Sequence, residues 1–230
     1  MRRSDVDEML RIIADEARFT RGMTGVSSLR PEVLEAMRQV PRKEFVPNFY
    51  KAMAYDNTPL PIGNGQTISQ PFIVALMTDL LRPDKDKVIL EVGTGSGYQA
   101  AVLSLLVRQV YSLEIIPALA GVASARLRRL GYENVEVRQG DGSSGWPEHA
   151  PFDGIIVTAS AAHIPPALKE QLKPGGRLVI PVGLPAMPQD LLVLEKDEQG
   201  VISTRHVLSV AFVPLTGNGG GNDKEQCEHH

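Results

Sequence analysis

The apolar positions at the start of the chain recur with a helical period. Val6, Met9, Leu10, Ile13 and Ala17 follow Ser4, which has Asp7 three residues on, the pattern of an N-cap opening an amphipathic helix. Val33, Leu34, Met37 and Val40 predict a second, shorter helix from Pro31, a residue that suits a first helical turn. Neither stripe can be buried alone, so both helices are expected to pack on the remainder of the chain. Residues 41–68 are rich in Pro, Gly and Asn and hold no sustained period; a loop this long is uncommon unless it has a task. QPFIVALMTDLLR then reads as a helix begun by Pro71 and capped by Ser69 or Gln70.

From residue 88 the rhythm changes. VILEV (88–92), VYSLE (110–114), VEVRQ (135–139), DGIIVTA (153–159) and RLVIPV (177–182) are short apolar runs, separated by helical stretches near 97–108, 117–130 and 165–172. Strands alternating with helices predict an α/β fold, a mostly parallel, doubly wound sheet with helices on both faces. LLVLEKD (191–197) and VLSVAFVPL (207–215) have only a turn at Gly200 between them, which predicts antiparallel strands added at one edge. Length and composition agree: 230 residues, 43% hydrophobic and 22% charged, suit one sizeable folded domain. Residues 1–216 are expected to form it, with 1–70 packed on it as helices and substrate loop, and 217–230 are expected to be a flexible polar tail.

Charge and residue type narrow the partners. The net charge is −3 and no basic tract runs through the chain, which argues against nucleic acid; Arg126, Arg128 and Arg129 read as a solvated helix face. The one cysteine, Cys227, excludes a disulfide framework within the chain, and the separated His149, His163 and His206 show no metal-ligand spacing. No apolar stretch is long enough to span a membrane, and the start turns acidic after Arg2 and Arg3, unlike a signal peptide. A cytoplasmic protein, with neither a membrane nor a metal, is expected.

The sharpest chemical signal is Glu91-Val-Gly93-Thr-Gly95-Ser-Gly97-Tyr98, after a predicted strand and opening a helix. A dinucleotide loop requires G-x-G-x-x-G, and Tyr98 stands in the place of its third glycine. Alternate glycines suit S-adenosylmethionine, whose methionine end needs backbone donors for its carboxylate and an acid such as Glu91 near its ammonium. Glu114 ends the next strand, roughly twenty residues on, where an acid can accept from both ribose hydroxyls. Gly140-Asp141-Gly142 ends the third, where Asp141 can accept from an adenine amino group beside a glycine N–H; in isolation it is also a common turn.

The acceptor is narrowed by absence. The fourth strand runs into Thr158-Ala-Ser rather than the Asn/Asp-Pro-Pro-aromatic turn of base-amino methylating enzymes, and no cysteine is placed as a nucleophile. A carboxylate fits: with a reference pKa near 4 it is ionised at neutral pH and needs no general base. Catalysis then reduces to alignment and partial desolvation.

QTISQP (66–71), TPLPIGNG (58–65), VPRKEFVP (40–47), LEVGTGSGYQAA (90–101), GDG (140–142), PFDGIIVTA (151–159), KPGGRLVIPVG (173–183) and FVPLTG (212–217) resemble the protein-L-isoaspartate O-methyltransferases over nearly the whole chain. The glycine motif is shared by many methyltransferases, whereas TIS, VPR-x-x-F-V and FVPLTG are more specific. The resemblance implies a Rossmann-like class I methyltransferase that carries methyl from S-adenosyl-L-methionine to the free carboxylate of isoaspartyl residues in damaged proteins, leaving S-adenosyl-L-homocysteine. It implies Ser69 as the active-site serine. It assigns to the cofactor Gln66, Thr67, Ile68 and Ser69, together with Glu91, Gly93, Gly95, Gly97, Glu114, Asp141, Gly142 and Thr216. Isoaspartyl proteins and peptides are the expected partners and a monomer the expected state. By residue type alone Ser69 also serves as a helix cap. A methyltransferase for RNA or a small metabolite remains as the alternative, as does a cofactor-binding module without catalysis.

Overall fold

A computed structural model describes residues 4–184 and 187–215. Helix α1 (Asp5–Thr24) begins where the Ser4 hydroxyl accepts the Asp7 N–H at 3.2 Å and ends at Gly25, whose positive φ of 70° closes the last turn. Its buried stripe holds Met9, Leu10, Ile13 and Ala17. Helix α2 (Pro31–Gln39) buries Val33 and Met37. Both pack on helix α3 (Pro71–Leu81), which is apolar almost all round and correspondingly buried.

The stretch before α3 is more ordered than its composition predicts. Two short 3-10 turns (Arg42–Phe45 and Asn48–Met53) lead into a hairpin of β1 (Leu60–Gly63) and β2 (Gln66–Ile68). Gly63, Asn64 and Gly65 all have positive φ, the conformation a tight hairpin turn needs, and Asn-Gly is its usual sequence. That dipeptide is the one local signal for a hairpin in a segment that otherwise reads as loop.

The main sheet is seven-stranded, in the order β5-β4-β3-β6-β7-β8-β9. Its members are β3 (Val88–Val92), β4 (Gln109–Glu114), β5 (Val135–Gln139), β6 (Phe152–Val157), β7 (Leu172–Val182), β8 (Gln189–Lys196) and β9 (Ile202–Val210). Strands β3 to β7 pair parallel, and β8 and β9 add an antiparallel meander, as the close spacing of the last runs predicts. Helices α4 (Tyr98–Ser104), α5 (Pro117–Arg129) and α6 (Pro166–Glu170) fall between the parallel strands. The last strand begins earlier and ends sooner than its apolar run predicts: it stops at Val210, and residues 211–215 cross the strand tips instead, bridging Pro214 to Ser160. Pro214 has no N–H to continue a ladder.

Strand alternation divides the core. Ile89, Ile156 and Val179 face the layer built from α1 to α4, while Leu90, Val92, Ile155, Val157, Leu178 and Ile180 face the other side. The chain order reverses between β3 and β6, so a crevice opens outside their carboxyl ends, the usual ligand position in an open α/β sheet. No described helix is long and apolar enough to cross a membrane.

Candidate active site

Each wall of the crevice comes from a strand tip. After β3 the chain turns through Gly93, Gly95 and Gly97, with φ of 96°, 54° and 87°. A side chain at Gly93 is excluded twice over: the φ disfavours it, and its Cβ would lie 2.4 Å from Thr158 Oγ1. Thr158, at the tip of β6, donates to the Gly93 carbonyl at 2.5 Å and so clamps the loop to the neighbouring strand. Glu114, at the tip of β4, is 5% exposed; its Oε2 accepts the Gly95 N–H at 2.7 Å and its Oε1 the Ile116 N–H at 3.0 Å. Each oxygen keeps a lone pair for a further donor. At the tip of β5, Asp141 Oδ1 accepts the Ser143 N–H at 2.9 Å, and Gly142 lies flat on β3, where a Cβ would strike Val92 at 2.2 Å.

These tips form a cleft lined by Gln66, Thr67, Gly93, Gly95, Glu114 and Gly142 among others. Beside it runs a broader groove of about 750 Å³ between the hairpin, the start of α3 and the chain after β9. Thr67, Thr158 and Val213 line both. Ser69 lines the groove and also a small recess with Ile68, Gly93, Ser96, Tyr98 and Gln99. No lysine or arginine lines any of these spaces among the described residues.

Ser69 is not spent on capping. The cap position of α3 is Gln70, which makes no side-chain cap bond, and the Phe72 N–H is met by Asn57 Oδ1 at 2.9 Å. The Ser69 carbonyl is held from behind by Arg42, whose Nη2 donates at 2.7 Å while its Nε donates to the Ala54 carbonyl at 2.8 Å. Sequence reasoning does not single out Arg42; its signal is the VPR-x-x-F-V motif, where a charged residue sits among apolar neighbours. Thr158 likewise reads from sequence only as a strand end.

Glu91 lies elsewhere than expected. Alternation along β3 turns it with Ile89 toward the face covered by α4, where it is 0% exposed and lines none of the described cavities. Ser112 donates to its Oε2, Thr94 and Ser112 hydroxyls meet at 2.6 Å, and Oε1 has no partner. Burial pushes its pKa up to about 8, with nearby Glu114 adding to the rise against the Ser112 hydrogen bond, so it is protonated at neutral pH. A buried neutral acid braces the glycine loop from below rather than offering charge to a ligand. Thr216 lies outside the described residues.

The cleft fits an adenosyl sulfonium. Glu114 offers acceptors to neutral hydroxyl donors, and walls free of basic residues suit a cationic ligand and not a pyrophosphate. Fold and site together are those of a class I methyltransferase of the S-adenosylmethionine-dependent type. Residues 23–220 match the family Protein-L-isoaspartate(D-aspartate) O-methyltransferase (PCMT), and the chain belongs to that family. It is 62% identical over 210 residues to Protein-L-isoaspartate O-methyltransferase 2 of Syntrophobacter fumaroxidans, covering 91% of this chain and 85% of that one. The relative of the same name in Nitrosococcus oceani is 60% identical, covering 91% and 95%. A solved protein-L-isoaspartate O-methyltransferase superposes with a TM-score of 0.81 at 29% identity, over 94% of this chain and 67% of that one. A Plasmodium falciparum structure of the same family name, in complex with S-adenosyl-L-homocysteine, agrees in fold with a TM-score of 0.74 at 24% identity, over 94% of this chain and all (100%) of that one.

Proposed function

We propose that the chain transfers a methyl group from S-adenosyl-L-methionine to the free carboxylate of L-isoaspartyl residues in damaged proteins and peptides, releasing S-adenosyl-L-homocysteine. The observation that carries this is the meeting of the two cavities at Thr67, Thr158 and Val213, with Ser69 lining the groove and the recess beside the glycine loop. A donor in the smaller cleft and an extended chain in the larger groove would touch there. The cofactor supplies a methyl group on a positively charged sulfur. Glu114 receives the ribose hydroxyls, Asp141 and Gly142 the adenine, and Gly93, Gly95 and Gly97 leave room for backbone approach. Gln66, Thr67 and Ile68 form the lid between donor and acceptor, Glu91 supports the loop from beneath, and Thr216 is a further cofactor residue of this reading.

The Ser69 hydroxyl has no hydrogen-bond partner among the described residues and is available to orient the acceptor carboxylate. An acceptor oxygen bonds to the methyl carbon as the carbon–sulfur bond breaks; no proton moves, so no base is required. The protein's contribution is alignment and exclusion of water. The open groove favours an extended peptide over a small metabolite, and its lack of basic residues disfavours RNA. On this reading residues 1–216 are one catalytic domain, and the enzyme is a cytoplasmic monomer whose partners are damaged proteins, not nucleic acid or membrane.

The test is transfer of radiolabelled methyl to an isoaspartyl peptide and to its ordinary aspartyl twin. Label on the first alone is expected. Label on neither would return the alternatives of an RNA or metabolite enzyme and of a silent cofactor-binding module.

A further inference from the structure

The proposed reaction brings two carboxylates to the site, one on the cofactor's methionine end and one on the acceptor, yet the walls hold no cation among the described residues. Two positive charges lie one layer back: half-buried Arg126, whose Nη1 donates to the Ser96 carbonyl at 2.7 Å, and the fully buried Arg42. Arg42 is 0% exposed, its guanidinium carbon is 4.7 Å from the Tyr98 ring centroid, and its Nη2 bonds the Ser69 carbonyl. Ser69 and Tyr98 are both walls of the recess beside the glycine loop, so Arg42 stands directly behind that recess.

Arg42 has no counter-ion. None of the ion pairs among the described residues includes it, and its Nη1 has no hydrogen-bond partner. Two carbonyls satisfy some donors but leave the charge uncompensated. A buried charge without a counter-ion costs stability rather than adding to it. A charge kept in such a place calls for an anion that arrives later.

We infer that Arg42 is an electrostatic positioning residue whose buried charge, acting through the Ser69 and Tyr98 wall, makes the recess receptive to the α-carboxylate of the cofactor. This rests on the cofactor reading above. It explains how a carboxylate is held without a basic residue in contact with it, and why the cation is kept out of the wall: in contact, it would also compete for the acceptor carboxylate and repel the sulfonium.

Calorimetric affinities for S-adenosylhomocysteine and for 5′-methylthioadenosine, which shares the nucleoside and lacks the carboxylate, test it in wild type, Arg42→Gln, Arg42→Met and Arg42→Lys. The charge-free variants are expected to bind S-adenosylhomocysteine at least tenfold more weakly and methylthioadenosine within twofold of wild type. Arg42→Lys should recover most of the difference. Arg42→Met, which keeps volume without donors, provides a charge-free protein should Arg42→Gln not fold. Equal weakening of both ligands, or an unchanged preference for the carboxylate, would overturn the role of Arg42 and leave the cofactor reading intact. A wild-type protein that binds neither ligand would overturn both.

Discussion

Glu114 Oε2 accepts the Gly95 N–H at 2.7 Å, joining the tip of one strand to the loop that follows its neighbour 19 residues earlier. With its other oxygen on Ile116, one carboxylate fixes both banks of the cofactor cleft. In Glu114→Gln the amide keeps one acceptor oxygen and turns an NH₂ toward a backbone N–H. Hydrogen bonds to charged groups contribute about 1.5–3 kcal/mol, so S-adenosylhomocysteine should bind roughly 10- to 100-fold more weakly. A change below threefold by calorimetry would remove Glu114 from the ribose site.

Ser69→Ala deletes the free hydroxyl while Arg42 still holds the backbone carbonyl. The fold and cofactor affinity should survive, and kcat/KM for an isoaspartyl peptide should fall by about 10- to 100-fold, the loss of one hydrogen bond to a charged acceptor. Parallel loss of melting temperature and cofactor binding would show that Ser69 is structural.

The buried acid gives stability a pH dependence of known sign. Glu91 has a folded pKa of about 8 against an ordinary value of 4.5, so between these values the folded chain holds a proton that the unfolded chain has released. Its contribution is complete below the unfolded value and is lost as pH rises through about 8, a loss on the order of a few kcal/mol. Glu91→Gln imitates the protonated form without titrating. The wild-type-minus-variant difference in unfolding free energy should therefore decline steadily from pH 5 to pH 8; a flat difference would mean that Glu91 is ionised in the folded protein.

Gly93→Ala combines a φ of 96° with a Cβ placed 2.4 Å from Thr158 Oγ1. The backbone penalty alone is about 1–3 kcal/mol, and the clash must move the clamp that sets the loop. A melting temperature several degrees lower and a cofactor affinity reduced at least tenfold are expected. Adding Thr158→Ala should recover only the part due to crowding, since the backbone conformation is unchanged.

Periodicity alone was enough for α1, α2 and the alternation of strands and helices, because a 3.6- or 2-residue repeat is a local property that burial of one face imposes directly. The glycine spacing and the positions of Glu114 and Asp141 were legible for the same reason: a parallel sheet places successive strand ends on one edge, so their order in the chain becomes their place around the cleft. The path of residues 211–215 depended on contacts with a distant strand end and did not follow its apolar run. The orientation of Glu91 depended on which helix covers its face, and so did its protonation. Most of all, the contact of Arg42 with Ser69 joins residues 27 positions apart through an irregular segment. No repeat encodes such a pairing, since it exists only once the 3-10 turns, the hairpin and α3 have packed together. Residue types and their spacing thus determined what the chain can bind, while tertiary packing decided which charges face the ligand, which stand behind it, and which are silenced by burial.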